Sequence, residues 1–182
     1  YTLTLRKGLK YSDGTAVKAS DFRATIERNF KVDSPSVGFF GNIVGADSFS
    51  KTKKGHISGI TANDQTGQIT IKLTQPQGDF QNILATTFAA PLPASTPAKD
   101  QSPHPAAATG PYMIQSYKAN KLAVVVRNPQ WKSNKATGIS EVPNGNPDKM
   151  TIDILGDPGV ALTRTLNGQE DYDLYQPPND RL

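Results

Sequence analysis

Two histidines and a few carboxylates are the residues of this chain that could do chemistry. His56 and His104 are the natural candidates for a general base or a zinc ligand near neutral pH. They stand far apart in polar stretches, and each reads as a solvated side chain. Asp13 lies in Ser12-Asp13-Gly14-Thr15 with no histidine or second carboxylate at metal-like spacing. An Asp-Gly pair there is turn chemistry: Asp bonds the backbone locally and Gly takes positive φ. Glu170, Asp171 and Asp173 form an acidic cluster. Asp171 and Asp173 fall on one face of an expected strand, so they read as edge charges and not as an acid/base pair. Trp131 could stack on a ligand, but one Trp beside a hairpin fits a core anchor. The chain has no cysteine, which removes disulfides, thiol nucleophiles and Cys-based zinc sites. It carries no Gly-x-Ser-x-Gly elbow, no HExxH and no Walker-type loop. No catalytic set, metal site or cofactor motif is visible, a pattern that suits holding a molecule without transforming it.

Composition narrows the partners. The 182 residues carry a formal charge of +4. A nucleic-acid footprint needs Lys and Arg gathered on one face, and the densest run, Lys51-Thr52-Lys53-Lys54, reads as a solvated loop. No apolar stretch is long enough to span a membrane as a helix. The chain begins at Tyr1, inside an apparent strand, and is expected to be a piece of a longer protein.

The elements that would position any site read clearly in places. Tyr1 to Arg6 alternates as a strand with Tyr1, Leu3 and Leu5 inward. A helix is expected over about Ser20 to Phe30, with Phe22, Ile26 and Phe30 on one face, Ser20 as N-cap and Asp21 in the first turn. Residues 33–55 read as loop-rich with one short helix at most. Residues 57–62 and 68–73 form a hairpin around Asp64-Gln65-Thr66-Gly67. Gly78 to Thr87 suits a short helix. Phe88 to Ala94 is apolar but broken by proline, and 94–108 reads as an extended crossing. Tyr112 to Tyr117 and Leu122 to Val126 flank Lys118-Ala119-Asn120-Lys121 as a second hairpin, bracketed by Pro111 and Pro129. Lys132 to Pro147 reads as a loop. Met150 to Leu155 is a strand. Asp157-Pro158 opens a helix closed by Gly168, and Asp171 to Tyr175 ends a βαβ-like unit.

Thr109-Gly110-Pro111-Tyr112, a hairpin ending Val126-Arg127-Asn128-Pro129, and an aromatic at Trp131 together resemble the family-5 extracytoplasmic solute-binding proteins. These are the oligopeptide, dipeptide and nickel receptors of ABC importers. The block Leu5 to Thr15 with Ala19-Ser20-Asp21-Phe22 is similar to the same family in the same order, although Lys18 stands where a capping Thr or Asn is usual. The resemblance implies an α/β fold with a mixed α+β sheet. The chain would be a fragment of lobe I of a class II periplasmic-binding-protein-like structure, built from antiparallel hairpins and flanking helices. It further implies a first-lobe subdomain over 1–108, the hairpin and βαβ-like unit of that lobe over 109–182, and an absent second lobe.

By that resemblance Thr87, Phe88, Ala89 and Ala90 run past the solute cleft. Tyr175, Gln176 and Pro177, with Pro178, lie beyond the carboxyl end of the last unit, where open α/β sheets bind ligands. The implied partners are a small solute, chiefly an oligopeptide, and a membrane permease. The implied protein is monomeric, lies outside the cytoplasm, is lipid-anchored at full length, and needs no cofactor or nucleic acid. Two other readings remain: a secreted hydrolase-type domain whose site is incomplete here, signalled by carboxylates converging with His56 or His104, and a protein–protein module, signalled by an apolar sheet-edge patch.

Overall fold

The computed structural model describes residues 1–138 and 142–174. Two three-stranded antiparallel sheets carry the architecture. The first has the order β1-β3-β2, from β1 (Thr2–Thr4), β2 (Ile60–Asn63) and β3 (Gln68–Ile71). The second has the order β4-β5-β6, from β4 (Tyr112–Lys118), β5 (Leu122–Arg127) and β6 (Lys149–Asp153). Both expected hairpins form. In the second, Asn120 adopts φ 57° at the turn, a left-handed geometry that Asn tolerates better than most residues. A bulge between Ile114 and Ser116 shifts the register of β4 on β5.

Helix α1 (Ala19–Lys31) packs on the first sheet. Phe22, Ile26 and Phe30 repeat at four-residue intervals and are all buried, the apolar stripe expected of a helix covering a core. The cap differs from expectation. Lys18, not Ser20, is the N-cap residue, and it has no acceptor to offer the first turn. Asp21, at the third helical position, takes the Lys18 backbone N–H at 2.8 Å instead, the acidic half of a capping box. Ser20 turns outward and bonds Asp64 through its N–H and hydroxyl, both at 2.8 Å.

The segment 33–55 is more ordered than its composition suggests. It holds α2 (Val37–Phe40) and α3 (Ala46–Thr52). Phe40, Ile43 and Phe49 from this stretch are buried in the same core as α1 and β3. Gly59 explains one tight spot: a Cβ there would lie 2.6 Å from the Val44 carbonyl and 2.9 Å from the Lys72 carbonyl. Helix α4 (Phe80–Leu84) is shorter than expected, with Phe80 fully buried. Tyr1 does not point inward as a core residue. It is 43% exposed, and its ring rests on Phe80 at 5.2 Å between centroids.

The second half departs further. The expected loop after Trp131 begins with α5 (Trp131–Lys135). Trp131 is buried, with its indole N–H bonded to Asn144 Oδ1 at 2.8 Å. Asp157 caps α6 (Pro158–Leu166) as expected, accepting from Gly159 N–H at 2.7 Å, and Gly168 beyond it has φ 68°. The final strand of the βαβ-like unit is not seen over 171–174, which carry no strand among the described residues. Tyr175 lies outside the described residues.

Asn134 of α5 joins the halves. It is fully buried. Its Oδ1 accepts from Lys10 N–H at 2.7 Å. Its Nδ2 donates to the Lys10 carbonyl at 2.7 Å and to the Thr109 carbonyl at 3.0 Å. A buried amide satisfied on both its O and N ends is a strong positional constraint.

Candidate functional site

The candidate segment Thr87–Ala90 is built from α1 outward. Asp21, Thr25 and Asn29 sit four residues apart, hence on one helix face, and all three are buried. Burying polar groups is costly unless each finds a partner. Each finds one in the crossing segment. Asn29 Nδ2 donates to the Phe88 carbonyl, Thr25 Oγ1 accepts from Leu92 N–H, and Asp21 Oδ1 accepts from Ala94 N–H, all at 2.8 Å. Arg28 extends the row, donating to the Pro97 and Lys99 carbonyls at 3.1 and 2.7 Å. Proline breaks regular structure in this stretch, so helix α1 supplies the hydrogen bonds that a strand neighbour otherwise would.

Held this way, Thr87–Ala89 forms a single 3₁₀ turn. Ala89 is buried in the core. Phe88 is 41% exposed, and its ring meets the exposed Phe39 at 6.2 Å. Thr87 and Ala90 are exposed. The candidates thus divide: Ala89 anchors, while Thr87, Phe88 and Ala90 are available to contact a molecule. Tyr175, Gln176 and Pro177 lie outside the described residues. Of the hollows on the described surface, one is lined by Tyr1, Val44 and residues 70–78, and another by Arg127, Trp131, Lys132, Lys135, Ala136 and Asn144. Neither includes Thr87–Ala90.

The ordered polar network at the start of α1 was not legible from spacing. Tyr11 is buried, and its hydroxyl donates to Asp21 Oδ2 at 3.1 Å. Burial pushes the Tyr11 hydroxyl above the ordinary tyrosine range, and the Asp21 charge beside it adds to the rise. Asp13 does turn chemistry as expected. Thr15 donates to it through its hydroxyl (2.7 Å) and its N–H (2.9 Å), which holds its carboxyl below the usual range.

The His56 side chain is 62% exposed, as expected of a solvated residue, but it has a partner that spacing did not reveal: its Nδ1 lies 3.0 Å from both Glu27 oxygens. Glu27 is buried, and Oε1 also accepts from Ile57 N–H at 3.0 Å. The pair fastens the 55–57 loop to α1 and opens onto neither hollow. Among the described residues, no three His, Cys, Asp or Glu side chains gather as a metal site, and no helix is long and apolar enough to cross a membrane.

Solved structures define the class. The chain superposes on the Escherichia coli murein tripeptide binding protein MppA with a TM-score of 0.71 and 25% identity, covering 92% of this chain and 33% of that one. Haemophilus influenzae OppA, in complex with RPPGFSPFR, shares the fold: TM-score 0.77 at 20% identity, covering all of this chain and 35% of that one. The fold is therefore that of part of a periplasmic-binding-protein-like receptor, mixed α/β with antiparallel sheets.

The family profile of the bacterial extracellular solute-binding proteins, family 5 middle, matches residues 1–181, and the chain belongs to that family. The periplasmic oligopeptide-binding protein OppA of Salmonella typhimurium is 32% identical over 152 residues, 78% of this chain and 28% of that protein. The chain thus spans about a third of the length of the relatives it matches.

Proposed function

We propose that this chain supplies part of the solute-capturing subunit of an ABC importer working outside the cytoplasm, with peptide as its cargo. The observation that supports peptide over other solutes is the 32% identity to a protein named for binding oligopeptides. Capture is non-covalent and enzymatic turnover plays no part: two lobes close on the solute, and the closed form engages a membrane permease. Residues 1–108 and 109–182 form two subdomains of one lobe. Thr87, Phe88 and Ala90, anchored by the buried Ala89, edge the cleft with Tyr175, Gln176 and Pro177. The full-length receptor is a lipid-anchored monomer.

Buried cleft walls set affinity in such sites, so one lobe alone is a poor receptor. Calorimetry with a library of short peptides tests this on two proteins, the 182-residue chain and the complete receptor. The complete receptor binds peptide and the chain alone binds weakly or not at all. Sub-micromolar affinity in the isolated chain would overturn the divided cleft. A complete receptor that binds no peptide would overturn the cargo.

A further inference from the structure

Phe39 and Phe88 come from separate elements, yet their rings meet in the open. The ring planes lie 31° apart with 6.2 Å between centroids, within the range of attractive aromatic pairs. Phe39 is 48% exposed and Phe88 41%. A lone apolar side chain at a surface is ordinary. Two rings brought together there from distant parts of the sequence form a small continuous apolar surface.

Each ring is presented by an anchored backbone. In α2, Phe40 is fully buried and Val37 packs against the core. Ser36 ahead of them is buried as well, and its carbonyl accepts from Phe39 N–H at 3.0 Å. On the other side Ala89 is buried, and Asn29 holds the Phe88 carbonyl. Rings held this way lose little freedom on meeting a ligand, which favours binding. The surroundings are neutral: residues 36–41 and 86–94 contain no charged side chain. Thr87 and Ala90, both exposed, continue the surface along the candidate segment.

We propose that Phe39 and Phe88 form a shelf for an apolar, preferably aromatic, side chain of the captured peptide, so that Phe39 is a specificity-determining residue. This role rests on the reading of 87–90 as part of a peptide cleft. It adds a residue to that cleft and a class of cargo, peptides with at least one large apolar side chain. An incoming ring extends the aromatic contact already made between the two phenylalanines. A charged side chain would leave water for a shelf that offers it no partner, so it gains nothing there.

Calorimetry on the complete receptor tests this with alanine peptides three to five residues long, and with the same peptides carrying one phenylalanine at each position in turn. At the best-placed position phenylalanine raises affinity about tenfold or more over alanine, and lysine or glutamate there does not. Phe39→Ala and Phe88→Ala each cut that gain to about threefold or less, while affinity for the all-alanine peptide stays within about threefold, which reports an intact fold. Equal affinity for alanine and phenylalanine peptides in the unsubstituted receptor would overturn the shelf. So would a gain that survives either substitution, or a loss shared equally by all peptides, the result expected if the other lobe packs on the rings. Binding of no peptide at all would overturn the cargo reading, and the shelf falls with it.

Discussion

Replacing Asn134 by leucine tests whether one amide holds the two halves together. The substitution keeps the size of the side chain and removes its polar atoms. Three bonds disappear, those of 2.7, 2.7 and 3.0 Å to Lys10 N–H, Lys10 C=O and Thr109 C=O. Each such bond contributes about 1 kcal/mol net, and the loss grows where the abandoned partner cannot reach water. The expected destabilisation is therefore about 3 kcal/mol. Urea denaturation followed by Trp131 fluorescence reads it directly, since Trp131 is the sole tryptophan and opens the same helix. At a slope of about 1–3 kcal/mol per molar, the midpoint falls by about 1–3 M. Asn134→Asp sharpens the test. It keeps the acceptor for Lys10 N–H but turns a carboxylate toward two carbonyl oxygens, which raises its folded pKa above the usual value of about 4. The variant is then most stable below pH about 4 and weakens as pH rises through the raised value. A loss below about 1 kcal/mol in the leucine variant, or a pH-independent aspartate variant, would refute the reasoning.

Tyr11→Phe flattens the alkaline limb of the stability curve. The folded Tyr11 hydroxyl is pushed up by burial while the unfolded one ionises near pH 10, so the wild-type chain loses stability as pH rises above about 10 and the variant loses less; denaturant midpoints at pH 8 and pH 11 compare them. Gly59→Ala forces a methyl group to 2.6 Å from the Val44 carbonyl and is expected to cost about 3 kcal/mol or more by overpacking, read as a lower Tm. Asp157→Ala removes the cap bonded to Gly159 N–H and costs about 1 kcal/mol, visible as faster amide exchange across residues 158–166.

Periodic features were legible in the sequence. Both hairpins, the Phe22/Ile26/Phe30 stripe and the Asp157 cap form as read, because each is local: alternation, four-residue spacing or a single side chain decides it. Features decided by distant partners were not legible. Nothing in Ser, Gly and Lys composition marks 46–52 as helical; Phe49 forms that helix by packing into the core. Ser20 is the better intrinsic cap, yet Asp64 captures it from across the sheet. The polar residues Asp21, Thr25 and Asn29 repeat at helical spacing, which by itself reads as a solvent face; that 88–94 covers them depends on chain reversal between the two segments. Asn134 sat in a stretch expected to be loop, and its partners at 10 and 109 leave no local trace.

The main core cluster draws its buried members from residues 19–89. The second sheet has only half-covered or exposed side chains, and among the described residues after 109 the buried apolar ones are Trp131 and Ala161, on α5 and α6. Resistance to melting is therefore unevenly shared. Gentle warming should soften the 109–174 portion first and leave the earlier portion intact. A protease added below the main transition would show that order as cuts gathered on the later side.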